Sequence, residues 1–146
     1  MYSAPDNSLA AVMRSDHAFG ALVAVQAIHS VEECWGRLWE SYPPAHFVAS
    51  LISADPERGF IIGNVALVAF GAWCYFWPVR RNWAIAATLA WFWVAIETIN
   101  GIGHPLWSIR QGGYTPGVAT APVLLFLAIY LAIQLSRRFK PVIQVK

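Results

Sequence analysis

The sequence predicts an all-α integral membrane protein, with four transmembrane helices in one bundle and a short interfacial helix in the first connector. Three observations carry this. Hydrophobic residues make up 58% of the 146 and charged residues only 12%, about half the charged share of an ordinary soluble domain. The charges cluster between apolar runs. Those runs are long enough, at about 1.5 Å of helix per residue, to approach a hydrocarbon core of roughly 30 Å.

The chain divides into elements of a single membrane domain. Met1 to Asp16 is a polar tail, disordered or a short surface helix, with no short apolar core and small-residue cleavage site; the first span is therefore expected to direct insertion itself. Span one runs from about Ala18 to Trp39 and ends at Tyr42-Pro43-Pro44. In the connector, Ala45 to Ile52 is too short to cross and suits a helix lying in the interface. Asp55-Pro56-Glu57-Arg58-Gly59 reads as an exposed turn. Span two covers about Phe60 to Trp77, stopped by Pro78. Span three covers about Trp83 to His104, stopped by Pro105. A glycine-rich loop, Leu106 to Gly117, leads into span four, about Val118 to Leu135, which Pro122 is expected to tilt or kink.

Four spans put both termini on one side. Arg14, Arg80, Arg81, Arg137, Arg138, Lys140 and Lys146 then face Arg37, Arg58 and Arg110 across the bilayer, a bias that places the termini in the cytoplasm. Net charge is only +2, with no base-stacking motif, which argues against nucleic-acid binding. Cys34 and Cys74 stand alone in apolar segments, in no metal-ligand spacing. Small and aromatic residues on spans two and four would allow a homodimer.

Chemistry concentrates on two helical faces. His29, Glu32 and Glu33 stand at i, i+3 and i+4 in span one; Trp93, Glu97, Asn100, Gly101 and His104 follow steps of three, four and seven in span three. Ionisable groups at membrane depth are costly and mark function. Three carboxylates in low dielectric repel one another, so at least one is expected to stay protonated. A protonated carboxylic acid beside an ionised one, oriented by histidine and asparagine, can move a proton onto and off an apolar substrate. Glu33 and Glu97 are the expected acid and base, tuned by His29, Glu32 and Asn100, with His104 at the outer mouth. Trp35, Trp91, Trp93, Trp107 and Tyr114 are the expected lining of the pocket, where aromatic faces would favour developing positive charge.

Matching Gly20 of span one with Trp83 of span three puts Glu33 and Glu97 at nearly one depth. His29 then lies about one turn deeper and His104 about two turns shallower. In that register the two histidines are too far apart to share one ion, so the expected site has no metal. The alternative is iron or zinc held among His29, Glu32, Glu33, Glu97 and His104.

At these residues the chain resembles the family of small bacterial membrane proteins named for an HXXEE motif. His29-Ser30-Val31-Glu32-Glu33 fits that motif, and Asn100-Gly101-Ile102-Gly103-His104 and Pro116-Gly117 are similar to its further signatures. The resemblance implies four spans in a bacterial inner membrane and an enzyme or metal site. Over spans one and three the chain is also similar to the EXPERA group of sterol isomerases, through Ile28-His29, Glu33, Trp35 and Glu97-Thr98-Ile99; that likeness implies that Glu33 and Glu97 handle the proton. The expected function is thus an isomerase- or cyclase-like membrane enzyme acting on an isoprenoid, sterol-like or lipid substrate. The alternatives are a metal-dependent oxidase, desaturase or hydrolase, and a non-catalytic lipid or small-molecule binding or transport protein.

Overall fold

A computed structural model describes the backbone of residues 7–138 and the side chains of residues 15–137. Every regular element among them is helical: α1 Asn7–Trp35, α2 Leu38–Ser41, α3 Pro43–Ile52, α4 Pro56–Cys74, α5 Ala86–Gln111 and α6 Ala121–Arg138. A π-helical turn, Tyr75–Val79, carries α4 onward past Pro78. The stretch Pro56–Val79 is the one helix among the described residues that is long and apolar enough to cross a membrane.

Helix α1 begins ahead of the expected span, because the polar stretch from Asn7 continues the same helix; Met1 to Asp6 lie outside the described residues. It ends at Trp35, not Trp39. Arg37 takes a left-handed conformation at φ 55°, and the chain restarts as α2, which buries Leu38 and Trp39. Helix α3 occupies the predicted connector. Asp55 caps α4 by accepting from the backbone N–H groups of Glu57 and Arg58, so the acidic residue of the expected turn starts a helix.

Two proline expectations are corrected. Pro105 lies inside α5, which runs on to Gln111; the missing backbone hydrogen bond is outweighed by packing along the helix. Pro122 falls in the first turn of α6, where no intrahelical donor is needed, so it starts that helix rather than bending it. The positive-charge bias rests partly on Arg14, Arg138, Lys140 and Lys146, whose side chains lie outside the described residues.

Helices α1, α5 and α6 pack about an apolar core of Phe19, Leu22, Trp93, Leu124, Ala128 and Leu131, all but Ala128 among the largest fully buried side chains. Gly101 brings α5 against α6, since a Cβ there would collide with Leu125. Gly71 similarly lets α4 meet Trp93 and Val23. Outside the core, Ile28, Val65, Ile99, Leu106, Ile109 and Phe126 are exposed.

Candidate metal centre

Contacts between the parallel helices α1 and α5 fix their register. Phe19 meets Trp93 edge to face at 6.3 Å, and Gln26 reaches Glu97. Glu33 reaches His104. Sequence offsets between partners are thus seventy-odd residues, about two turns beyond the offset that matches Gly20 to Trp83. The register is set by these side-chain contacts along the two helices and not by where their apolar runs begin. The expected juxtaposition of Glu33 and Glu97 is therefore corrected: Glu97 lies beside Gln26, and the two histidines, expected apart, meet with ring centroids 4.7 Å apart.

His29, Glu33 and His104 form one buried group, with a potential ligand atom of each within 4.8 Å of the others. Glu33 Oε1 lies 3.3 Å from His29 Nε2 and 3.1 Å from His104 Nε2. Hydrogen bonds on the far side of each ring fix its tautomer. His104 Nδ1 is 2.8 Å from the Pro116 carbonyl, which can only accept, so Nδ1 carries the proton. His29 Nδ1 is 2.7 Å from Thr120 Oγ1. That hydroxyl donates its own proton to Glu32 Oε2 at 2.6 Å, so it accepts from His29. With each ring neutral, the lone pair of its Nε2 would point at Glu33 Oε1; the fully buried Nε2 of His29 has no hydrogen-bond partner.

Three lone-pair donors converging in a buried space repel one another unless a proton or a metal ion lies between them. The residues fit a metal ion. The two His–Glu separations, 3.1 and 3.3 Å, match the edge, about 3.3 Å, of a tetrahedron with bonds of about 2.0 Å to zinc. Two imidazoles and one carboxylate also form the set used by catalytic zinc and by non-haem iron with open positions. Each ring is oriented from behind by a carbonyl or by a carboxylate acting through a hydroxyl, as ligating histidines are.

Glu32 faces away from this group. Its Oε1 accepts from Tyr114 Oη at 2.7 Å and from the backbone N–H groups of Gly117 and Ala119 at 3.1 and 3.0 Å. Its Oε2 accepts from the Thr120 N–H at 3.0 Å. The carboxylate thus binds the loop ahead of α6 to α1, and in return the bond pushes the Tyr114 phenol up to about 12. Gly117, at φ 90°, lays its backbone against the imidazoles; a Cβ there would come within 2.9 Å of His29 Cε1 and closer still to the His104 ring.

Glu97 is completely buried. The Gln26 amide nitrogen donates to it at 2.9 and 3.2 Å while the amide oxygen accepts from Ser30 at 3.1 Å; the opposite orientation would set an oxygen against the carboxylate. Asn100 Nδ2 donates to its Oε2 at 3.3 Å. The expected aromatic lining is not brought to the trio. Trp93 belongs to the apolar core, three turns from His104, and Trp91 and Trp35 are exposed. Trp107 stacks obliquely on Tyr42, and Tyr114 holds Glu32. Thr120 and the Pro116 carbonyl, which orient the rings, were not singled out by the sequence, although Pro116-Gly117 marked their loop.

Fold and site together define an all-helical protein with a buried His–Glu–His cluster roofed by a glycine-containing loop. The chain belongs to the HXXEE family, described as "protein of unknown function with HXXEE motif", whose sequence profile matches residues 21–131. That match supports the first of the two resemblances and gives nothing for the likeness to sterol isomerases. No curated protein and no solved structure matches the chain.

Proposed function

We propose that the protein is a metal-dependent enzyme of the membrane, of the oxidase, desaturase or hydrolase type, acting on an apolar substrate taken from the bilayer. The observation that carries this reading is the convergence of two histidine Nε2 atoms on one buried Glu33 oxygen. His29, Glu33 and His104 would hold iron or zinc, and the ion would supply Lewis-acid activation of water or of a substrate oxygen. Thr120 and the Pro116 carbonyl keep the rings in the ligating tautomer, and the Gly117 loop shields them from water. Four spans with cytoplasmic termini suit the apolar composition and the belt of exposed aliphatic and aromatic side chains.

A second reading has its own observation. Glu97 is a fully buried carboxylate whose hydrogen-bond partners are the amides of Gln26 and Asn100, an environment suited to carrying a proton to an apolar substrate. Elemental analysis of purified protein never exposed to chelator separates the two. Near-stoichiometric iron or zinc that is lost in Glu33→Gln and kept in Glu97→Gln is expected. Absence of metal from the wild-type protein, with turnover that survives chelation, would favour the proton-transfer enzyme instead.

A further inference from the structure

A cleft of about 600 Å³ opens beside the trio, between α4 and α5 and under α2 and α3. Glu33 and His104 form part of its wall, whereas His29 does not. An ion held by the trio would therefore have its open side on the cleft. From the level of Tyr42 and His104 the cleft runs along α5 to Ile96 and along α4 to Leu67. His104 to Ile96 is eight residues, or about 12 Å of helix. Beyond the trio, the walls are chiefly apolar, with Ala66, Leu67, Ile96 and Ile99, and carry the amides of Gln26, Asn64 and Asn100 among them. Gly103 leaves the cleft wide beside His104, since the nearest atom to a Cβ there is the Tyr42 hydroxyl oxygen at 3.7 Å.

We infer that this cleft binds a single-chain amphiphile of the fatty-acid, fatty-alcohol or fatty-aldehyde class, its oxygen-bearing head on the metal at Glu33 and His104 and its hydrocarbon tail toward Leu67 and Ile96. This deepens the metal-enzyme reading and rests on it. Head chemistry follows from the three ligands of the trio, which leave one position of a tetrahedral ion for an oxygen donor, on the side where Glu33 and His104 line the cleft. Tail chemistry follows from the length and apolarity of the remaining cavity, which is of the size usual for small-molecule sites. A short polar substrate would leave most of that apolar surface unfilled.

The test uses the full chain in lipid nanodiscs, loaded with cobalt as a visible stand-in for zinc or iron. Dodecanoyl hydroxamate and acetohydroxamate present the same ligating head with and without a tail. The wild-type protein is expected to bind the long probe at least about tenfold more tightly, by the change in the cobalt spectrum, since even a few buried methylenes are worth about 1.4 kcal/mol or more. Gly103→Leu fills the cleft beside His104 and is expected to remove that preference. Ala66→Phe, at the far end, is a second variant should the first fail to fold, and is expected to weaken dodecanoyl but not acetyl hydroxamate. Equal affinities for the two probes in the wild-type protein, or a preference unchanged in both variants, would overturn the cleft assignment and leave the metal centre standing. Failure of cobalt to bind, or a cobalt spectrum unaltered by His104→Ala, would overturn the metal centre and with it this assignment.

Discussion

The two halves of the bundle are built on different principles. Around Phe19, Leu22, Trp93 and Leu131 the helices meet through interchangeable apolar surfaces, where volume and periodicity suffice. Around His29, Glu33 and His104 the polar atoms have specific partners: Glu33 meets both rings, and the far side of each ring is held by the loop ahead of α6, twelve residues from His104 and about ninety from His29. Adjacent residues of one motif divide the work: Glu33 turns into the cluster and Glu32 turns out to hold the loop. The polar half is thus organised as a site and the apolar half as a support.

Substitutions that separate support from site sharpen this contrast. Leu131→Ala, in the fully buried core, should cost about 3 kcal/mol of stability in a detergent unfolding assay while leaving metal affinity within twofold. Glu32→Ala strands the donors of Gly117, Ala119 and Thr120; a loss of about 2 kcal/mol is expected, accompanied by weaker metal binding. Equal metal affinity in both variants would erase the distinction between the halves. Thr120→Val removes the acceptor of the His29 Nδ1 proton without removing a ligand, and should weaken metal binding about tenfold or more, with Thr120→Ser restoring it and melting behaviour little changed.

The smallest effect is a pH dependence at the loop. Tyr114 is raised from 10 to about 12 by its hydrogen bond to Glu32. Because the folded state favours the neutral phenol, its contribution is present in full below about pH 10 and is lost as pH rises through about 12. Ultraviolet titration of the phenolates should show one late-ionising tyrosine, absent in Tyr114→Phe and shifted toward 10 in Glu32→Gln.

The halves also differ in how far the sequence discloses them. Hydropathy locates all the long helices, and helical spacing places His29 with Glu33 on one face. Helix ends and register are harder to read. The turn at Arg37, the continuation through Pro105 and the early start at Asn7 are decided by tertiary packing. A displacement of about two turns between α1 and α5 is enough to exchange Glu97 for His104 as the partner of Glu33. Thr120 carries no signal of its own, since a threonine at the start of a helix is ordinary until its hydroxyl is seen between Glu32 and His29. Pro116-Gly117 was visible as a pattern, but its reason, close approach of backbone to two imidazoles, is a property of the assembled bundle.

X-ray absorption on the zinc-loaded full-length protein addresses the His–Glu–His centre directly. A first shell of two imidazole nitrogens at about 2.0–2.1 Å and a carboxylate oxygen at about 2.0–2.2 Å is expected, with one imidazole lost in His104→Ala. A shell containing sulfur at about 2.3 Å, or one that His104→Ala leaves unchanged, would mean that the trio is not where this protein holds a metal.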